Sequence, residues 1–97
     1  MDVNIGIDPG KDGFITAIIG KEFIFTPIPL IGKFLDIHEL SRILGEFKAL
    51  GGVHCVFEDV HAKFGSSAKA TFSFGFVCGA TEACIISSGI PFTKVQP

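Results

Sequence analysis

Two acidic strand ends, about fifty residues apart, are the positions in this 97-residue sequence that could do chemistry together. Ile5-Gly6-Ile7-Asp8-Pro9-Gly10 lies near the start and Val56-Phe57-Glu58-Asp59-Val60 in the middle. Each sets a carboxylate at the C-terminal end of an apolar, β-rich run, where open α/β sheets gather their ligands. If the two strands lie side by side, Asp8 and Glu58 meet and form half of a magnesium site. Magnesium is held by a few carboxylates plus substrate phosphate oxygens. Two such ions about 4 Å apart can activate a water and stabilise the leaving oxygen in phosphodiester cleavage. Gly6, two residues earlier on the same strand face, leaves space beside Asp8, and Pro9-Gly10 turns the chain away from the pocket. Glu58 and Asp59 point to opposite faces of a strand, so only one can join Asp8, and spacing alone does not choose. For any single acid a solvated strand end is the plainer reading. Two acids at equivalent strand ends weigh against it.

The elements that must position these acids are legible from periodicity. Val3 to Asp8, Gly13 to Ile19 and Glu22 to Thr26 read as three short strands joined by Lys11-Asp12-Gly13 and Gly20-Lys21, a three-stranded antiparallel meander. Pro27 and Pro29 stop the third strand. Asp36 with Glu39 forms a capping-box pattern ahead of Ile37, Leu40, Ile43, Leu44 and Phe47 at helical spacing, which predicts a helix from about Asp36 to Leu50 ending at Gly51-Gly52. Val53 to Asp59 then reads as a buried strand, and His61 to Ser67 as a polar loop. Ala68 to Ser88 is apolar on most sides and predicts a long buried helix. Gly75, Gly79 and Ala83 make a small-residue stripe on it that suits close packing on the sheet or a subunit interface. Pro91 to Val95 completes a βββαβαβ order, one α/β domain without repeats or linkers.

Composition narrows the class further. A chain of 97 residues makes one small domain near the size where stability is marginal. At 47% hydrophobic, with 11 Phe and neither Trp nor Tyr, the sequence excludes wholesale disorder and predicts an aromatic core. Cys55, Cys78 and Cys84 sit in apolar runs, with no C-x-x-C and with His38, His54 and His61 scattered, which predicts reduced core thiols rather than a zinc site. The formal charge of −2 argues mildly against nucleic acid. Its distribution blunts that argument, because Lys63, Lys69 and Lys94 face a single acid, Glu82, between His61 and the C-terminus. The N-terminus lacks the pattern of a signal peptide. Ala70 to Ile90 approaches bilayer-spanning length, but its Ser, Thr and Gly content and the central Glu82 favour a buried helix, so no membrane span is expected and the expected location is the cytoplasm of a bacterium or phage-infected host.

Gly6-Ile7-Asp8-Pro9-Gly10 alone also fits the phosphate-binding turn of actin-like ATPases and sugar kinases, though those proteins duplicate the fold and need a far longer chain. The wider pattern resembles a RuvC-type Holliday junction resolvase of the kind found in phages. The resemblance rests on Ile5-Gly6-Ile7-Asp8-Pro9-Gly10-Lys11-Asp12-Gly13, then Val56-Phe57-Glu58-Asp59-Val60-His61-Ala62. It continues through Gly65-Ser66-Ser67, Thr71-Phe72-Ser73-Phe74-Gly75 with Gly79, and Gly89-Ile90-Pro91-Phe92, so that it covers essentially the whole chain.

That resemblance implies a ribonuclease H-like fold with Asp8 and Glu58 as metal-binding catalytic acids, magnesium as cofactor and manganese as its substitute. It further implies a homodimer, built through the helix around Gly75 to Ala83, that cuts branched DNA symmetrically at a four-way junction in recombination, repair or phage DNA processing. Lys11, His61, Lys63, Ser66 and Lys69 become candidate DNA contacts. His61 stands near the place where cellular family members carry an aromatic that probes the junction, so base wedging is not expected of it. The family carries two further acids on a C-terminal helix, whereas this sequence ends at Val95-Gln96-Pro97. Asp36, Glu39, Glu46 and Glu82 belong to the two helices and replace neither. The expectation is therefore the N-terminal part of a resolvase, lacking the C-terminal helix, with a non-catalytic DNA-binding or dimerisation module and an actin-like phosphotransfer domain as alternatives.

Overall fold

A computed structural model describes residues 2–9, 12–58 and 67–96. Three strands, β1 (Asp2–Asp8), β2 (Phe14–Ile19) and β3 (Glu22–Pro27), form the expected antiparallel meander. Gly20, with φ 61°, opens the two-residue turn between β2 and β3, a conformation that glycine adopts without steric penalty. A small hairpin follows, β4 (Leu30–Ile31) with β5 (Phe34–Leu35), which the sequence pattern did not foresee. Its turn is closed by Gly32 at φ 62°.

Helix α1 (Ile37–Ala49) starts where the capping pattern places it, with the Glu39 amide donating to the Asp36 carboxylate at 3.0 Å. Strand β6 (Gly52–Glu58) returns parallel to β1, helix α2 (Ala68–Ser87) starts at an N-cap serine, Ser67, and β7 (Phe92–Val95) adds to β6 in parallel. The sheet order is β3-β2-β1-β6-β7, which sets β1 and β6 at its centre. The end of α2 is a Schellman turn: Gly89, at φ 73°, donates to Ile86 O, and Ile90 donates to Ile85 O. Lys48 Nζ donates to Gly89 O at 3.0 Å and ties the end of α1 to that turn.

Both helices pack on one face of the sheet. Val3, Ile5 and Ile7 of β1 and Val53, Cys55 and Phe57 of β6 point into the core with Leu40, Leu44 and Phe47 of α1 and with Cys84 and Ile85 of α2. Burial pushes the Cys55 thiol up to about 12, so it stays protonated and acts as core filling, as expected. Alternate residues of the same strands, including Gly6, Asp8, Val56 and Glu58, point to the other face, which no described element covers.

One expectation about α2 fails. The helix is buried only at Thr81, Cys84 and Ile85, and Phe72, Phe76 and Ile86 stand exposed. Its C-terminal half packs beside α1 and into the core, and the rest of the apolar pattern is not covered among the described residues. By length and composition α2 is also able to cross a bilayer. Glu82 is not stranded on it: its carboxylate accepts from Lys94 of β7 at 2.5 Å.

Candidate metal and nucleic-acid site

Asp8 and Glu58 reach each other because of strand register. The parallel pairing of β1 and β6 runs to Ile7 opposite Phe57, and the next pair along is Asp8 and Glu58 at the C-terminal ends of both strands. Both side chains lie on the open face and line one groove of about 400 Å³. The backbone thereby makes the choice that spacing left open: Glu58 joins Asp8, while Asp59 lies outside the described residues.

The two carboxyls interact directly. Glu58 is held above its ordinary value, first by partial desolvation, then by the negative charge of Asp8, then by the hydrogen bond that the protonated Glu58 donates to Asp8. Two carboxyls this close compete for one proton, and a cation placed between them removes that conflict. All the donors are hard oxygens, the kind that suits magnesium or manganese rather than zinc. Among the described residues no third His, Cys, Asp or Glu joins the pair.

Glycines shape the floor and the wall. A Cβ on Gly6 would meet nothing within 4 Å, so the space beside Asp8 is real, as expected from its position. Gly13 is different: a Cβ there would lie 1.9 Å from the Asp8 carbonyl oxygen. That close approach lets β2 begin directly beside the acid-bearing end of β1, where Phe14 pairs with Asp8. The Gly13 carbonyl also accepts from the Ile28 amide at 3.0 Å, fixing the chain that leaves β3.

Sequence reasoning missed the aromatic side of this groove. Phe14 and Phe25 line it together with the acids, and Val56 and Val95 line its other part. The available signal was alternation: Phe14, Thr16 and Ile18 on β2 and Phe23 and Phe25 on β3 fall on the face that carries Asp8. Of the candidate DNA contacts, Lys69 is described and stands exposed on the first turn of α2. Lys11, His61, Lys63 and Ser66 lie outside the described residues.

The whole described chain superposes on solved structures of one protein. Against Thermus thermophilus RuvC in complex with a Holliday junction substrate the TM-score is 0.63 at 13% identity, covering 100% of this chain and 66% of that one. The fold is RuvC-like. A second Thermus thermophilus RuvC structure matches with a TM-score of 0.54 at 17% identity, covering 98% of this chain and 64% of the other. The chain thus spans just under two thirds of the length of these RuvC structures. The mixed five-stranded sheet with two helices is the ribonuclease H-like arrangement expected from the motifs. No protein-family model and no curated protein matches the sequence.

Proposed function

We propose that this chain carries the acidic centre of a metal-dependent, structure-selective endonuclease acting on branched DNA. The observation that carries this reading is the direct pairing of Asp8 and Glu58 at the ends of the two central strands of a RuvC-like sheet, over an open groove. One of the similar structures holds a Holliday junction substrate, which supports a four-way junction as the DNA. Asp8 and Glu58 would hold the cation, magnesium or in its place manganese, which when bound lowers the pKa of a water and neutralises charge on the cleaved phosphate.

The chain's own residues have defined tasks in this reading. Asp8 and Glu58 fix the cation at the groove floor. Lys69 offers its ammonium to a phosphate flanking the scissile one, and Lys11, His61, Lys63 and Ser66 are the further proposed contacts, adjoining the two acids in sequence. A homodimer through the exposed face of α2 would present two such centres, matching two strands of a junction. Action in the cytoplasm of a bacterium or phage-infected cell, in recombination or phage DNA processing, belongs to the same proposal.

A second reading draws on the two-acid count. Since no third ligand joins Asp8 and Glu58 among the described residues, the 97-residue chain could serve as a junction-binding and dimerisation module without cutting. One experiment separates the two. The chain is incubated with a synthetic four-way junction in magnesium or manganese beside Asp8→Asn and Glu58→Gln. Under the nuclease reading the wild type cuts, and each variant is slower by roughly a hundredfold or more, the scale for losing one group that stabilises a transition state. Junction binding that persists without cleavage in all three proteins establishes the module.

A further inference from the structure

The space beside Asp8 has a polar wall that the two acids do not account for. In the β1–β2 register Thr16 stands opposite Gly6, two residues back along both strands from the pair of Asp8 and Phe14, and so on the same sheet face. On the other side of Gly6 stands Val56 of β6. Gly6 has no side chain, and a Cβ there would meet nothing within 4 Å, so Thr16 faces Asp8 and Glu58 across an open floor. Thr16, Gly6 and both acids line one groove. The other side chains that β2 and β3 place on this face, Phe14, Ile18, Phe23, Phe25 and Pro27, are apolar, which makes Thr16 the one polar group those strands contribute. Among the described residues its hydroxyl has no hydrogen-bond partner, whereas Gln96, the other neutral polar side chain lining the groove, is already engaged. Strand propensity does not explain the hydroxyl, since valine suits a strand as well as threonine does.

We propose that Thr16 is a positioning residue for the cation: its hydroxyl accepts a hydrogen bond from a water of the hydration shell, in the space over Gly6, while Asp8 and Glu58 hold the ion itself. This rests on the metal centre of the nuclease reading and deepens it by naming the neutral group that orients the ion's water. Distance favours a water over direct contact. Thr16 and Asp8 are diagonal neighbours on antiparallel strands, a relation that sets residues about 7–8 Å apart. Two oxygens bound to one magnesium are only about 3 Å apart, given metal–oxygen distances of about 2.1 Å. The threonine side chain is too short to close that gap, and one water fits it. Magnesium sheds its waters reluctantly and keeps several of them at a site with one or two carboxylates, which is the donor set found among the described residues. Thr16 is half-buried beside Phe14 and Phe25, and the low polarity there strengthens a hydrogen bond. Groups just outside a metal's ligand shell orient what the metal carries, so Thr16 sets the face that the ion turns toward a phosphate.

The test reads the ion directly in the 97-residue chain, without cleavage. Manganese affinity is measured from the electron paramagnetic resonance of the free ion, and the number of waters on bound europium from its luminescence lifetimes in light and heavy water. Thr16→Val keeps the shape and removes the hydroxyl. It should weaken manganese binding by roughly tenfold to a hundredfold, the scale for losing an outer partner of a metal site. Thr16→Ala should behave alike, Thr16→Ser should restore most of the affinity, and Thr16→Val should melt in EDTA at the wild-type temperature. The water count on europium should be the same in Thr16→Val and wild type, because the hydroxyl touches a water and not the ion. Unchanged manganese affinity in both Thr16→Val and Thr16→Ala overturns the assignment and leaves the role of the acids intact. One additional europium-bound water in Thr16→Val makes the hydroxyl a direct ligand and overturns the water-mediated arrangement. A wild type that binds no manganese, or an Asp8→Asn variant that binds it equally well, overturns the metal centre and the role of Thr16 together. Manganese binding that depends on Thr16 while a four-way junction stays uncut keeps Thr16 as a positioning residue and removes the nuclease reading.

Discussion

Glu58, beside Asp8, is held in an environment that favours its protonated form when no cation is bound. Because Glu58 titrates above its ordinary value, near 4.5, the folded state binds its proton more tightly than the unfolded state does. The benefit of that proton is complete below the unfolded value and is lost as pH rises through the raised folded value. At neutral pH in EDTA, Glu58→Gln should therefore melt at a higher temperature than the wild type, and the gap should close as pH is lowered toward 3. Asp8→Asn should act in the same direction, since it removes the neighbouring charge. Magnesium should raise the wild-type melting temperature and move both variants less, because each has lost one oxygen donor. Superimposed melting curves at pH 7 for the three proteins would show that the two carboxyls do not oppose each other.

Gly13 is the element-scale counterpart of that pair, because it lets the β1–β2 connection fold back tightly against the backbone that displays the acid. Gly13→Ala drives a methyl group into the Asp8 carbonyl, backbone against backbone, so the β1–β2 connection has to shift. Expected outcomes are a loss of about 1–3 kcal/mol in denaturant titration, the range for forced overpacking, and weaker magnesium stabilisation than in wild type. The caps are a milder case: Asp36→Ala and Ser67→Ala should each cost about 1 kcal/mol, since each removes the acceptor for one orphan amide. Helix α1 and the meander were legible in the sequence because their signals are local, a capping box and glycine turns. The hairpin of β4 and β5 was not, since strands of two residues carry no periodicity. Glu58 could be preferred to Asp59 from sequence only through the family resemblance; the physical decision belongs to register between strands about fifty residues apart. The aromatic wall was readable in principle from alternation on β2 and β3, but hydrophobic alternation marks both faces of those strands and does not say which one the helices cover.

At the scale of the whole molecule, the apolar pattern of α2 asks for more burial than the described residues supply. Hydrophobicity in a sequence states which side chains favour leaving water, not which surface will receive them, and this is why a helix expected to be buried stands largely exposed. Phe72 is 78% exposed and Phe76 54%, on a helix whose Gly75 and Gly79 would each meet nothing within 4 Å if given a Cβ. Open space beside small residues between exposed aromatics is the relief that a second helix can fill, ridge into groove. The proposed homodimer through this face predicts a concentration-dependent monomer–dimer equilibrium in sedimentation. Phe72→Asp with Phe76→Asp should shift it to monomer while far-ultraviolet circular dichroism stays unchanged, since neither ring contributes to the core. The double variant should also cut paired sites on a junction one strand at a time, if each copy brings its own Asp8 and Glu58. A bilayer is the competing receiver for a helix of this length, and liposome flotation separates the two. A chain that floats with vesicles and remains monomeric at every concentration without them would refute the helix–helix interface.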